Sequence, residues 1–118
     1  MKTKQIEIPV DSEQFSNFID NSKIFDKTRE FMKEYLTNWY NDDEEEFKEN
    51  MHADLTTVLD RYRFHNEFVS ITKNFNFSPP MDTVSCAIYI TDEDDSYCAR
   101  YRTIFDDQLN EIDDTIEI

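Results

Sequence analysis

Apolar residues recur every three or four positions through the first half of this chain and every second position through its last third. Those two periods predict helices followed by strands, an α+β chain. Residues 1–10 read as an extended arm, and Asp11 or Ser12 caps a short helix with Phe15, Phe18 and Ile19 on one face. A stronger helix starts around residue 27, where Phe31, Met32, Tyr35, Leu36 and Trp39 follow helical spacing. Asn41 to Asp43 then break the chain. Asp42 or Asp43 caps a new short helix, Glu44 to Glu46 fill its first turn against the positive end of its dipole, and Phe47 and Met51 form its buried side.

The stretch 56–65, "TTVLDRYRFH", is rich in β-branched and aromatic residues and predicts a strand, with Asp60 on the face of Val58, Tyr62 and Phe64. Residues 66–75 fit either a helix capped by Asn66 or more sheet. "SPPM" at 78–81 is a break. Three strands follow. The first carries Val84, Cys86, Ile88 and Ile90 on one face. The second carries Tyr97, Ala99, Tyr101, Thr103 and Phe105 inward, with Cys98, Arg100 and Arg102 opposite. The third groups Ile112, Asp114, Ile116 and Ile118. A four-residue loop at 92–95 sets Cys86 opposite Tyr101, Ile88 opposite Ala99 and Ile90 opposite Tyr97. The last hairpin places Tyr101 opposite Asp114 with a four-residue loop, or opposite Ile112 with a two-residue one. Cys86 and Cys98 fall on opposite faces, which disfavours a disulfide.

Composition sharpens this picture. The 118 residues suit one domain, with residues 1–25 an arm and short helix at its edge, and 14% aromatics supply a core. Twelve Lys and Arg against 27 Asp and Glu give a net charge of −15. Such a chain repels nucleic-acid phosphates and favours solubility or a basic protein partner. No stretch is apolar enough for a signal peptide or membrane span, and two Cys without metal spacing suit a reducing compartment, so a cytoplasmic location is expected. The chain has no Gly, so positive-φ turns are expected to use Asn or Asp.

The segments "FMKEYLTNWYNDDEEEFKENMHADLTTV" and "CARYRTIFDDQLNEIDDTIEI" resemble the opening and last hairpin of the NTF2-like (SnoaL-like, cystatin-like cone) superfamily over about residues 27–118. The resemblance rests on the order helix, short helix, strand, helix, meander. Two departures are the missing turn Gly and a short segment before the meander, which makes for a shallower pocket. The resemblance implies N-terminal helices packed on a curved antiparallel sheet, with a cavity at the wide end and dimers across the sheet. It places Trp39, Tyr40, His52, Tyr62, Cys86 and Tyr101 at the pocket. Strand alternation puts Tyr89, Arg100, Arg102 and Ile104 on the outer face of the meander, which suits an interface and equally an ordinary solvated face. The resemblance implies ligand or protein binding as often as isomerase, cyclase or dehydratase chemistry, so fold alone does not choose.

Three functions follow. The first is a noncatalytic domain binding a small apolar ligand or a protein partner as a homodimer. The second is an enzyme in which Asp114, alone among isoleucines, works with Tyr101 and with Asp60 in proton transfer. The third is an acidic inhibitor or DNA mimic, with acid clusters at 42–46, 92–95 and 106–114, that caps a basic surface. No cofactor or metal is expected, because two His without a Cys pattern do not make a zinc site and "DEDD" at 92–95 lacks the Gly and distal Glu of a calcium loop.

Overall fold

The computed structural model describes residues 10–118, so the arm expected over 1–10 lies outside the described residues apart from Val10. Among the described residues four helices precede four strands: α1 Ser12–Ser22, α2 Ile24–Asp42, α3 Glu44–Met51, α4 Leu55–Arg61, β1 Arg63–Asn74, β2 Met81–Thr91, β3 Tyr97–Phe105 and β4 Glu111–Glu117. The strands form one open antiparallel sheet in chain order, β1-β2-β3-β4. The chain is therefore α+β, with helices packed on one face of a four-stranded meander.

Caps set the helix boundaries. The Asp11 carboxylate accepts from the Gln14 amide at 3.0 Å and starts α1. Asp43 serves two helices, since its amide donates to the Trp39 carbonyl at 2.8 Å and its carboxylate accepts from Glu46 N–H at 3.1 Å. The acidic run after it is thus the first turn of α3, as its pattern predicts. Ile24, Thr28, Met32 and Leu36 form the buried stripe of α2, which begins three residues earlier than its periodicity predicts.

The strand expected over 56–65 is instead α4. Asp54 accepts from Thr57 N–H at 2.9 Å, and Val58 is the buried anchor. The cap and one buried contact override the β preference of Thr56, Thr57 and Val58. Asp60 consequently sits exposed on a helix and not on an inward strand face. The helix alternative for 66–75 also gives way. Those residues extend β1, and Asn66 accepts from the Arg29 guanidinium at 2.6 Å rather than capping a helix.

Both later hairpins differ in register from the expectation, for one reason. Asp92 N–H donates to Ser96 C=O at 2.9 Å, and Asp106 N–H donates to Asn110 C=O at 2.9 Å, which leaves three-residue loops. The third loop residue is left-handed in each, Asp95 at φ 62° and Leu109 at φ 63°. A bulge follows each loop, so Ile90 pairs with Ala99, Ile88 with Tyr101 and Cys86 with Thr103. In the last hairpin Tyr101 pairs with Ile116 and Thr103 with Asp114. Inward residues still meet inward residues, but two positions along.

The bulges also move side chains between faces. Cys98 joins Ala99 and Tyr62 in the core, so it does not lie opposite Cys86 as a regular strand requires; both thiols are free. Ile112 leaves the face of Asp114 and lines a hollow with Arg102 and Ile104 on the outer side of the sheet. Of the four positive-φ residues among those described, only Asp95 is of the expected Asn or Asp type; Lys23, His52 and Leu109 are the others. At two of these bends the residue's own amide is tied back, His52 to the Lys48 carbonyl and Leu109 to the Asp106 carbonyl.

Candidate functional site

Two parallel rows on α2 build one side of a groove. Phe31, Tyr35 and Trp39 are four residues apart and lean on the sheet and α3: Phe31 on Phe105 at 6.2 Å, Tyr35 on Tyr101 at 5.6 Å, and Trp39 on Phe47 at 4.9 Å between ring centres. Glu34, Asn38 and Asp42 form the neighbouring row and stand exposed as a rim. The facing wall is β4, through Glu111 and Asp114. The space between has a volume of about 550 Å³, and no Lys or Arg is among its lining residues.

Asp114 is fixed from beneath. The fully buried Tyr101 donates its hydroxyl proton to Asp114 Oδ2 at 2.6 Å. Burial, and then this hydrogen bond, push the Tyr101 phenol far above the ordinary tyrosine range. Burial also raises the Tyr35 phenol, with the charge of Asp114 adding to it. Glu111 is raised by desolvation first and then by Asp114, Asp113 and Glu34. The groove therefore concentrates negative charge beside aromatic faces.

The structure thus brings Asp114 and Tyr101 together and leaves Asp60 apart from them. The residues expected at the pocket are scattered. Trp39 lines the groove. Tyr40 packs on Phe47 with its hydroxyl on Glu44. His52 ends α3 and, with Tyr62, borders a separate hollow of about 340 Å³ near Asp92. The Tyr62 hydroxyl is buried on the Met51 carbonyl. Cys86 lies in the core against Ile24, and burial pushes its thiol up to about 11, which starves it of nucleophilic thiolate. The sequence pattern did not mark Glu34 or Asn38, and it marked Asp42 and Glu111 only as a cap and as members of acid clusters, not as groove residues. The i, i+4, i+8 spacing of Glu34, Asn38 and Asp42 on α2 beside the aromatic row was the available signal, but only the fold brings Glu111 on β4 opposite.

On the outer face Tyr89 stacks between His65 and Tyr97, with ring centres 4.7 and 6.1 Å away. Arg100 is paired within the sheet, with Nε 2.9 Å from each Glu67 carboxylate oxygen and Nη1 3.6 Å from Glu117. Arg102 and Ile104 line the outer hollow. Among the described residues no group of three or more His, Cys, Asp and Glu side chains is placed to hold a metal ion, and no helix is long and apolar enough to cross a membrane.

Comparison of the chain with protein-family models, with curated proteins and with solved structures finds no match.

Proposed function

We propose that this chain is a noncatalytic binding domain that takes a cationic group, on a small molecule or on a basic partner's side chain, into the groove between α2 and β4. On layout alone we also propose that it is NTF2-like in plan, with helices set on one face of an antiparallel sheet. The observation that carries the binding reading is the lining itself. Four carboxyl groups and three aromatic rings border one space with no cation among them. Carboxylates attract an ammonium or guanidinium, and aromatic faces hold it by cation–π attraction.

Catalysis is the weaker reading. Tyr101 is buried and its proton is already committed to Asp114, so the phenol presents no free donor to a substrate. The groove is rimmed by exposed residues and does not exclude water. An acidic mimic of nucleic acid is also less favoured. Asp92 accepts from Asp94 and Ser96 amides, Asp106 accepts from Gln108 and Asn110 amides, and Asp95 pairs with Arg63. Much of the acidity at 92–95 and 106–110 is turned onto the chain's own backbone and so is not arrayed for a partner.

Trp39 is the sole tryptophan and reports on the groove directly. Titration with benzyltrimethylammonium is expected to change its fluorescence saturably. The affinity should fall about tenfold in Asp114→Asn and decline with added salt, while benzyl alcohol gives no saturable change. Equal responses to the cation and the alcohol, or no effect of Asp114→Asn, would overturn the reading.

A further inference from the structure

Arg100 and Arg102 lie two apart on β3, on the outer side of the sheet, away from the groove. They are treated very differently. Arg100 holds Glu67 and Glu117, and its guanidinium lies 6.0 Å from the Phe68 ring centre. Arg102 has no carboxylate within ion-pair distance among the described residues. Its Nε is shut off from solvent and has no hydrogen-bond partner. Arg102 as a whole is half-buried, and a guanidinium with no carboxylate partner is a group that an anion would complete.

The surroundings say which kind. Arg102 lines a hollow of about 550 Å³, within the range of small-ligand sites, whose other surfaces are mainly apolar. Phe77 reaches in from the β1–β2 loop and Ile112 from the β4 bulge, 47% and 46% exposed respectively. Met81 and Ile104 also line it, and Ser85 adds a hydroxyl to the lining. Asp113 also lines the hollow, and its Oδ1 already accepts from Asp114 N–H at 2.9 Å. One guanidinium sharing the hollow with one carboxylate suits a monoanion and opposes a dianionic phosphate. The apolar walls require an occupant with a tail.

We propose that this outer hollow binds a small amphipathic monocarboxylate, with its head on Arg102 and its apolar part against Phe77, Met81 and Ile112. The guanidinium fork gives the carboxylate two parallel donors, and covering the exposed Phe77 and Ile112 supplies the hydrophobic gain. The site is separate from the groove on the helix side and does not depend on the reading given for it.

The probe is sodium decanoate, titrated by calorimetry against the full chain, with decanol and decyltrimethylammonium as matched-tail controls. Decanoate is expected to bind saturably and at least about tenfold more tightly than either control. Arg102→Gln should remove that preference for the carboxylate. Phe77→Ser, a change at an exposed loop residue, should weaken decanoate about tenfold while leaving the fold intact by circular dichroism. Decanoate binding unchanged in Arg102→Gln would overturn the proposal, as would equal affinity for decanol or no saturable binding. Sedimentation velocity supplies a further arm. A dimer that Arg102→Gln dissociates and decanoate does not would make this face a contact between copies and would also overturn the proposal.

Discussion

Asp92 closes the β2–β3 hairpin and Asp106 closes the β3–β4 hairpin with the same pattern of hydrogen bonds. Each carboxylate accepts from the amides two and four residues on, each third loop residue is left-handed, and each loop is followed by a bulge. The surroundings differ. The bulge of the first hairpin puts Cys98 beside Ala99 in the core, among residues of α3 and α4. The bulge of the second throws Ile112 outward, where it is 46% exposed. Glu111 and Asp114 line the helix-side groove, while Ile112 and Asp113 line the outer hollow. One local device thus closes the core in one hairpin and divides a strand between two candidate binding surfaces in the other.

The comparison is broken most readily by placing one charge at both bulges. Cys98→Asp is expected to cost about 3 kcal/mol or more, because it buries a carboxylate among apolar side chains without a partner. Ile112→Asp is expected to cost no more than about 1 kcal/mol, because the side chain already meets water. Urea unfolding of both variants measures the difference. Equal losses would mean that the two bulges are packed alike and that the division drawn above is wrong.

Tyr101 ties the hairpins together, since it sits on the strand they share and holds Asp114 on the outer strand of the second. Tyr101→Phe keeps the buried ring and removes only the hydroxyl, so a loss of about 1–2 kcal/mol is expected. The effect should be local. Amide exchange over 111–117 should accelerate, while β2 and the first hairpin keep their protection. Uniform acceleration across the sheet would show that the bond supports the whole fold and not the second hairpin in particular.

How much of this was readable beforehand follows from the same contrast. The aromatic stripe of α2, the start of α3 at Asp43, and the inward faces of β2 and of β3 from Ala99 onward are periodic, and periodicity survives into structure; before the bulge it fails, since Tyr97, expected inward, is exposed and stacks on Tyr89. Asp114 could be paired with Tyr101 because both fall on inward positions, although neither anticipated register occurs. The bulges were not readable, because one extra residue leaves composition and turn signals unchanged while moving every later partner. Left-handed turns at Lys23, His52 and Leu109 carry no Gly or Asn to announce them. In α4 a local cap outweighed a β-branched run, and propensity alone does not decide that contest. The groove needs α2 and β4 side by side, and most of the chain lies between them.

The smallest expected effect separates two acids of the second hairpin by sign. Asp106 accepts from backbone amides, Asn110 foremost, which lowers its carboxyl below the usual value. Its contribution is present above the unfolded-state pKa and is lost as pH falls through the lower, folded one. Glu111, five residues on, is raised by desolvation and by Asp114, Asp113 and Glu34. Its folded form binds the proton more readily than its unfolded form, so ionised Glu111 costs stability above the folded pKa, and acidification relieves that cost. Glu111→Gln is therefore expected to be more stable than the parent at neutral pH. Glu111 is mostly exposed and screening trims the effect, so the gain should be about 1–2 °C in Tm. The gain should shrink as pH falls through the raised, folded-state pKa of Glu111, below which the parent's own carboxyl is protonated. Asp106→Ala should show the opposite trend, least stable relative to the parent at neutral pH and converging with it in acid. If Glu111→Gln instead destabilises at neutral pH, Glu111 makes a favourable contact as an anion, and the crowding of like charges along the groove does not hold at its β4 wall.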